Sequence, residues 1–336
     1  MREPRVTVLG GGSWGTAVAS IAARNAPTTL WARDEQTAQE VTERHTNSRY
    51  LGELPLHRSL RATTDLQEAV SHADVLVLGV PSHSVRSVLD SLADVLRPWV
   101  PIVSLVKGLE QGTRMRITEV ASEVLPGHPV GVLNGPNIAR EVVQGYAAAA
   151  TLAMPDQHLA EALQVLLRAP TFRVYTSTDV IGVEVAGALK NIFAIATGLG
   201  DGLEAGDNTR AMVMTRSLRE LSRLGVAMGG EQLTFSGLAG MGDLIATCTS
   251  PHSRNRRVGI RLAQGATLAQ IAEELKQVAE GVRSSSVVME LARLHGVEMR
   301  IASEVDAVIN HGQPVSRAYR GLLREAPAHE FEGEGW

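Results

Sequence analysis

A glycine-rich turn between a short apolar run and a helical segment constrains this chain more than any other feature. Residues 5–9 (RVTVL) form an apolar run suited to a buried parallel strand, and residues 16–24 have the alanine-rich composition of a helix. Between them, Gly10, Gly12 and Gly15 supply the pattern G-x-G-x-x-G. The pattern alone is weak evidence, because ordinary turns are also glycine-rich. In a strand–turn–helix context it indicates nucleotide binding.

The three glycines have separate roles in such a site. Gly10 permits the tight turn, Gly12 lets the backbone approach a pyrophosphate, and Gly15 lets the helix pack close to the strand. The amides of Gly12, Ser13 and Trp14 then point at the phosphates from the helix N-terminus. We therefore predict that a dinucleotide cofactor binds at this turn.

A second predicted strand, residues 28–32, ends beside two charged residues that bear on the choice of cofactor. An arginine at this strand end accommodates the 2′-phosphate of NADP, whereas an acidic residue accepts a hydrogen bond from the ribose 2′-hydroxyl of NAD. Arg33 and Asp34 are both present, so the sequence leaves NAD and NADP open.

The composition excludes several classes of protein. The 336 residues are 44% apolar and 20% charged, as in a globular protein with ample core, and the net charge of −4 lacks the basic surplus of a nucleic-acid binder. One cysteine, Cys248, allows no intramolecular disulfide, and we interpret it as a small buried side chain rather than a catalytic thiol. The histidines lack zinc-site spacing, so we predict no metal. Without a signal-peptide pattern or an uninterrupted apolar run of about 20 residues, we expect a cytoplasmic protein with no membrane span.

The order of the predicted elements divides the chain into two domains. Over residues 1–178, short strands alternate with helices, which predicts a doubly wound, mostly parallel sheet of the α/β Rossmann type. Residues 47–60 are predicted as a loop. The strands are predicted at residues 5–9, 28–32, 60–63, 74–80, 101–106, 129–133, 147–153 and 172–175. Ligands of such sheets bind outside the carboxyl ends of the strands; three stretches meet that condition, namely Pro81-Ser82, Lys107-Gly108 and residues 135–137.

The alternation stops near Ser177, and residues 179–336 are predicted to form an all-α domain. The helices are predicted at residues 179–199, 209–224, 230–235, 243–248, 253–263, 268–275, 284–295, 301–308 and 314–323.

The first of these helices carries Lys190 in an almost wholly apolar sequence, so it should be buried nearly all round. No carboxylate lies three or four residues from Lys190, and the small residues Ala186, Gly187 and Ala194 at those positions leave room for a ligand. Desolvation favours the neutral amine, which suits proton transfer. A lysine that snorkels to the surface is the alternative, but the helical setting favours a functional group.

Two polar stretches of the second domain complete the candidate site. Asp243 follows a glycine-rich turn at the start of a predicted helix, with Thr247 one turn further on. It is a candidate partner for Lys190, and N-capping of its helix is a compatible role. Residues 253–257 (SRNRR) begin another helix, where amides and guanidinium groups can converge on a phosphate. A solvated basic patch is the alternative interpretation of that pattern.

Together, these stretches resemble the bacterial NAD(P)-dependent glycerol-3-phosphate dehydrogenases over essentially the whole chain. The stretches that carry the resemblance are GGGSWGTA, LWAR, VPSH, LVKGLE, NGPNIARE, GALKNI, GMGDLIATCTS, SRNRR and VAEG. The resemblance implies reversible hydride transfer between NAD(P)H and dihydroxyacetone phosphate, giving sn-glycerol 3-phosphate for glycerophospholipid synthesis. The partner is therefore a small phosphorylated substrate, and we expect a homodimer.

The resemblance also implies roles for individual residues. Lys190 is the proton donor and acceptor, with Asp243 and Lys107 as the other catalytic candidates. The substrate contacts that it implies are Lys107, Gly135, Asn137, Lys190, Asp243, Ser253, Arg254 and Asn255. Beyond the three glycines of the turn, the implied cofactor contacts are Ser13, Trp14, Arg33, Lys107, Ala139, Arg254, Val278 and Glu280.

One departure from the family pattern occurs at Asn137. The family usually has Gly-Pro-Ser or Gly-Pro-Thr where this chain has Gly135-Pro136-Asn137, so the side chain keeps hydrogen-bonding groups but loses the hydroxyl. Two other functions compete with the main prediction. One is a related two-domain reductase of a different keto or hydroxy compound, and residues 253–255 argue against it because they suit a phosphate. The other is a non-catalytic dinucleotide sensor, which has no need of Lys190.

Overall fold

The computed structural model describes residues 3–275 and 279–322, and its internal contacts cluster into two units. The first unit consists of residues up to Val106 together with Met115–Val180. The second consists of Lys107–Arg114 together with the chain from Ile181 onward. The sequence analysis divides the chain once, between residues 178 and 179. The contacts instead group Lys107–Arg114, which precedes that boundary, with the second unit.

The first unit is built on one sheet of eight strands in the order β3-β2-β1-β4-β5-β6-β7-β8, which confirms the predicted α/β class. All neighbouring strands are parallel except β6 and β7, which run antiparallel. The strands are β1 Val6–Leu9, β2 Thr28–Trp31, β3 Arg61–Thr63, β4 Val75–Leu78, β5 Ile102–Ser104, β6 Val130–Asn134, β7 Ala148–Ala153 and β8 Phe172–Ser177.

Alternate residues of each central strand supply two separate cores, one on each face of the sheet. In β4, Val75 and Val77 pack into one apolar cluster, and Leu76 and Leu78 pack into the other. Because successive side chains point to opposite faces, a strand that is buried on both faces must be apolar throughout. That requirement explains why β4 is the clearest strand in the sequence.

Three helices of the first unit, α2, α4 and α8, follow an aspartate that caps them. Asp34, Asp65 and Asp156 each accept a hydrogen bond from a backbone N–H of the first helical turn. The helices are α1 Ser13–Ala22, α2 Glu35–Glu43, α3 Ser48–Leu51, α4 Leu66–Ser71, α5 Val85–Asp90, α6 Ile117–Val124, α7 Ala139–Val143 and α8 Gln157–Leu166.

Two of these helices were not predicted. The short α3 lies in the stretch that was predicted as a loop, where side-chain hydrogen bonds rather than apolar periodicity hold the chain. Helix α6 was omitted, although Ile117, Val120 and Ala121 are buried at helical spacing and Glu119 bonds back to the backbone N–H at the helix start. Its β-branched residues are poor helix formers, so the packing of the buried face decides its conformation.

From Ile181 onward, the described part of the second unit contains helices and no strands, as predicted. Its helices are α9 Val180–Gly202, α10 Asp207–Ala227, α11 Gln232–Phe235, α12 Asp243–Thr249, α13 Arg254–Ala263, α14 Leu268–Leu275, α15 Glu280–Leu294, α16 Arg300–Asn310 and α17 Val315–Leu322. A π-helical turn at Leu238–Gly242 leads directly into α12.

Helix α9 is the central helix of the second unit. It is long and apolar enough to cross a membrane by length and composition alone, but 89% of its most apolar window is buried inside the protein. Helix α13 crosses it at backbone contact, since a Cβ atom on Gly198 would lie 2.0 Å from the Arg256 carbonyl oxygen and one on Gly259 would lie 2.2 Å from that of Ile195. The two glycines thus fix the distance between the helix that carries Lys190 and the helix that begins after Ser253.

The glycine turn gives a test of which glycines serve packing. A Cβ atom on Gly15 would lie 2.2 Å from the Gly10 carbonyl oxygen, whereas one on Gly12 would meet nothing within 4 Å. We expect Gly15→Ala to lower the free energy of unfolding by about 1–3 kcal/mol, as overpacking does. Gly12→Ala should cost less than about 1 kcal/mol, since Gly12 is only an N-cap without a side chain. Denaturant unfolding of both variants measures the difference, and equal losses would contradict the assignment of Gly15 to packing.

Candidate active site

A carboxylate shared by two lysines lies at the centre of the second unit. Lys190 Nζ donates to Asp243 Oδ1 at 2.9 Å, and Lys107 Nζ donates to Asp243 Oδ2 at 2.6 Å. Lys190 Nζ also donates to Thr247 Oγ1, one turn along α12 from Asp243. The pairing of Lys190 with Asp243 was predicted from the sequence, and the structure adds Lys107 on the second carboxylate oxygen.

This lysine–aspartate cluster is almost closed to solvent. The side chains of Asp243 and Lys190 are 3% and 6% exposed, and that of Lys107 is 18% exposed. Burial lowers the pKa of Lys107 to about 8; the neighbouring Lys190 ammonium acts in the same direction, while the Asp243 carboxylate opposes it. Lys190 does not snorkel to the surface, because its ammonium is held inside by Asp243 and Thr247.

The local backbone explains why Asp243 is available to the lysines. N-capping was a compatible role for it, but the N-cap position of α12 is Gly242, and Asp243 is the first residue of the helix. Because the π-helical turn continues directly into α12, the backbone already is helical there and needs no side-chain cap. Both carboxylate oxygens are used on lysines instead.

A chain of side-chain amides connects this cluster to two further helices. Asn191 Nδ2 donates to the Lys107 carbonyl oxygen at 2.9 Å, and Asn191 Oδ1 accepts from Asn255 Nδ2 at 2.9 Å. Asn255 Oδ1 in turn accepts from the Gly281 N–H at 3.0 Å. A Cβ atom on Gly281 would lie 2.7 Å from the Asn191 carbonyl oxygen, so only glycine allows this approach.

Asn191 and Gly281 received no role in the sequence analysis. The signal that could have found Asn191 is its place beside Lys190, as a second polar residue in a helix that should be buried all round. Asn255 was predicted to contact substrate, and the structure shows that its amide already bonds Asn191 and Gly281. Its position is therefore fixed by the protein itself.

The predicted helix start at residues 253–257 is present. Ser253 is the N-cap of α13, and its Oγ accepts from the Arg256 N–H at 3.2 Å. Arg256 Nε donates to Asp201 Oδ2 at 2.6 Å, so this arginine ties α13 to α9. Arg254 and Arg257 are exposed. Arg254 is the residue next to the N-cap, at the helix start where an anion binds most readily.

The glycine turn of the first unit fits a dinucleotide. Gly10 has φ of 122°, and a Cβ atom there would lie 2.6 Å from the Gly79 carbonyl carbon, so the turn requires glycine. The N-terminus of α1 has Gly12 as its N-cap, no side-chain cap and no acidic residue in its first turn. The N–H groups at this helix start and the open space over Gly12 are the features that a pyrophosphate needs.

Trp14 and Ser13 contact other parts of the first unit. The Trp14 ring packs edge-on against Phe172 with centroids 5.9 Å apart, and within the described residues its indole N–H is buried without a hydrogen-bond partner. Ser13 Oγ donates to the Tyr50 carbonyl oxygen at 3.3 Å. The contacts of Ser13 and Trp14 with a dinucleotide stay predictions.

The two charged residues after β2 differ in what holds them. Asp34 Oδ2 accepts from Thr37 N at 2.8 Å and from Thr37 Oγ1 at 2.6 Å, and these bonds lower the pKa of the Asp34 carboxyl. Arg33 is exposed. The structure thus gives Asp34 a capping role at α2 beside its predicted proximity to the ribose.

The remaining predicted contacts are dispersed over both units. A Cβ atom on Gly135 would lie 2.8 Å from the Ala149 carbonyl oxygen, so Gly135 allows the chain to pass close to β7. Asn137 Nδ2 donates to that same oxygen at 2.9 Å, and its Oδ1 is buried without a partner in the described chain. Ala139 and Glu280 are the first residues of α7 and α15. Val278 lies outside the described residues.

Cys248 is fully buried in α12, and burial raises the pKa of its thiol to about 11. The interpretation of Cys248 as a small buried side chain is therefore confirmed. In residues 3–275 and 279–322, no three His, Cys, Asp or Glu side chains are grouped as a metal site would require.

The doubly wound sheet with its glycine turn, followed by a helical unit with a buried lysine–aspartate cluster, defines a two-domain NAD(P)-dependent oxidoreductase. Comparison with known proteins narrows this class. The model of the N-terminal part of NAD-dependent glycerol-3-phosphate dehydrogenase matches residues 5–160, and the model of its C-terminal part matches residues 179–320. The chain therefore belongs to the NAD-dependent glycerol-3-phosphate dehydrogenase family.

Individual relatives agree with this assignment. The chain is 62% identical over 337 residues to a glycerol-3-phosphate dehydrogenase [NAD(P)+] of Mycobacterium avium, covering 100% of this chain and 99% of the relative. It is also 62% identical to one from Mycobacterium tuberculosis, covering 100% and 98%. The crystal structure of the glycerol-3-phosphate dehydrogenase of Coxiella burnetii superposes with a TM-score of 0.92 at 35% identity, covering 96% of this chain and 99% of that one.

The burial of Cys248 leads to a test of this part of the site. With a buried thiol and a pKa of about 11, the native protein should react with iodoacetamide at pH 7.5 no faster than it unfolds. In guanidinium chloride the same thiol should react within minutes. Mass spectrometry of timed samples measures both rates. Stoichiometric labelling of the native protein within minutes would show that the thiol is accessible.

Proposed function

We propose that this protein catalyses the reversible NAD(P)-dependent reduction of dihydroxyacetone phosphate to sn-glycerol 3-phosphate. The observation that carries the proposal is the buried Asp243 carboxylate, which holds the ammonium groups of Lys107 and Lys190 side by side. The names of the relatives support the substrate and the cofactor. We further propose that the protein acts in the cytoplasm as a homodimer and that its product serves glycerophospholipid synthesis.

The catalytic step needs a proton donor for the substrate oxygen. The bound cofactor supplies or accepts hydride, and negative charge develops on the carbonyl oxygen during the reduction. Lys190 has three N–H donors, of which one is used on Asp243 and one on Thr247. The third N–H can bond the carbonyl oxygen and then deliver the proton. Lys190 is thus the general acid of the reduction and the general base of the reverse reaction.

Lys107 and Asp243 prepare Lys190 for this step. Asp243 fixes the position of the Lys190 ammonium through Oδ1, and its helix supplies Thr247 as a second anchor. Two ammonium groups share one carboxylate, so the cluster keeps a net positive charge in a nearly closed environment. That charge stabilises the developing alkoxide, and it acts strongly because little water screens it.

The phosphate of the substrate is assigned to the start of α13. Ser253 supplies the N-cap, Asn255 is held rigidly by Asn191 and Gly281, and Arg254 supplies the charge. Helix N–H groups together with a guanidinium group suit a phosphate dianion. Asn137 is assigned to a substrate hydroxyl, because its Oδ1 is a buried acceptor without a partner among the described residues and a hydroxyl can donate to it.

The assay that tests the proposal follows NADH and NADPH oxidation with dihydroxyacetone phosphate and with unphosphorylated dihydroxyacetone. We expect efficient turnover of the phosphorylated ketone only. Arg254→Ala should raise the KM for dihydroxyacetone phosphate about 10- to 100-fold, as the loss of a charge-assisted contact of about 1.5–3 kcal/mol does. Arg257→Ala, which removes an exposed arginine one turn along the same helix, is the matched control. Equal turnover of the two ketones would refute the phosphate assignment and favour a different reductase.

The role of Lys190 predicts a separation of catalysis from cofactor binding. Lys190→Ala should lower kcat by about 10²–10⁴-fold, the usual contribution of general acid catalysis. Lys190→Arg should not restore the rate, because a guanidinium group does not release its proton at working pH. The control is a cofactor titration of each variant, which should give dissociation constants close to those of the unchanged protein. A variant that binds cofactor normally and retains most of its kcat would remove Lys190 from the chemistry.

The lowered pKa of Lys107 predicts a pH dependence. Below pH 8 Lys107 carries its charge beside Asp243, and above about pH 8 it becomes neutral, so kcat/KM for the reduction should fall as the pH rises through 8. Lys107→Arg keeps the charge at all working pH values and should move this fall upward by more than one pH unit. Rate profiles between pH 6 and 10 measure the shift. An unchanged fall near pH 8 in Lys107→Arg would assign it to another group.

A further inference from the structure

A short segment of the first unit, residues 46–51, carries an exposed arginine and is fastened to α2. Glu40 on α2 accepts from Thr46 Oγ1 at 2.8 Å, from Ser48 N at 2.7 Å and from Ser48 Oγ at 2.9 Å. One carboxylate therefore fixes the chain on both sides of Asn47. We call residues 46–51 the Arg49 segment.

The same segment is also fastened to the glycine turn. Asn47 is fully buried, and its Nδ2 donates to the Gly11 carbonyl oxygen at 3.0 Å and to Thr16 Oγ1 at 2.9 Å. Ser13 Oγ donates to the Tyr50 carbonyl oxygen at 3.3 Å. These bonds hold the backbone on either side of Arg49 against the turn that binds the dinucleotide.

Arg49 itself is held in place without a carboxylate partner among the described residues. Its guanidinium carbon lies 5.4 Å from the centroid of the Tyr50 ring, a cation–π contact that orients the group. The charge of Arg49 also reaches Asp34: after the hydrogen bonds from Thr37, it is a further cause of the lowered pKa of that carboxyl. Arg49 therefore lies near the end of β2, where Arg33 precedes Asp34.

The charges at this corner suit a dianion. The charge of Arg49 acts on the Asp34 carboxyl, Arg33 directly precedes Asp34 in the chain, and Asp34 Oδ2 is already used by Thr37. The end of β2 is where the adenosine ribose of a dinucleotide lies in this type of sheet. A 2′-phosphate adds two negative charges at that point. Arg33 can offset one of these charges, and a second arginine can offset the other.

We propose that Arg49 binds the 2′-phosphate of NADP together with Arg33, and that the Arg49 segment is the element that gives this protein its affinity for NADP. The proposal rests on the proposed function only in requiring a dinucleotide at the glycine turn. Asp34 remains available through Oδ1 to the 2′-hydroxyl of NAD, so the same corner serves both cofactors with different residues.

The test is direct binding measured by calorimetry, with four probes: NADPH, NADH, 2′,5′-ADP and 5′-AMP. Arg49→Ala should weaken NADPH and 2′,5′-ADP about tenfold, as the loss of one exposed charge-assisted contact does, and change NADH and 5′-AMP less than twofold. Arg24→Ala is the matched control. It removes an exposed arginine beyond the end of α1, about 15 Å along that helix from the glycine turn, and should leave all four dissociation constants unchanged.

A second variant tests the same corner in the opposite direction. Asp34→Asn keeps an N-cap side chain but removes the negative charge, so NADPH should bind several-fold more tightly and NADH more weakly. An equal loss of NADPH and NADH in Arg49→Ala would overturn the proposal, because Arg49 would then contact the part that both cofactors share. The proposal would also be overturned if Arg33→Ala weakened NADPH binding and Arg49→Ala did not. If no variant or unchanged protein bound either dinucleotide, the proposed function would fail rather than the role of Arg49.

Discussion

The second unit depends on one buried carboxylate. Asp243 compensates two ammonium groups at once, and removing any charged group from water is costly unless it is paired and hydrogen-bonded. Because two positive charges share one negative charge, one positive charge is left uncompensated. A hydrophobic core of the same shape would give a higher free energy of unfolding. We infer that the fold retains this electrostatic surplus because an anionic oxygen, formed only during the reaction, completes it.

The fold could be predicted wherever burial dictates composition. Strand β4 and helix α9 are apolar on every face because both are enclosed, so their sequences admit few other conformations. Helices α3 and α6 escaped prediction for the opposite reason. Helix α3 is held by Glu40 and Asn47 acting across the chain, and α6 is formed from residues with weak helix propensity. Tertiary contacts determine the conformation of both helices, and these contacts cannot be seen in the local sequence pattern.

The site also divides into residues that the local sequence pattern predicts and residues that only tertiary contacts bring together. Lys190 stood out because a charged residue in an apolar helix violates the local pattern, and Asp243 was inferred as its partner from the need to compensate it. The amide chain through Asn191, Asn255 and Gly281 could not be predicted, since its members are 64 and 26 residues apart and meet only through the crossing of α9 with α13. The second bond of Asp243, to Lys107, spans 136 residues and is hidden from sequence for the same reason.

The assignment of Lys107–Arg114 to the helical unit has a consequence for how such a protein can evolve. The polypeptide passes between the units three times, after Val106, after Arg114 and after Val180. A gene segment that encodes only the later residues would therefore lack one of the two lysines on Asp243. Recombination cannot transplant this chemistry onto another nucleotide-binding domain as a single contiguous module, so the two halves must diversify together.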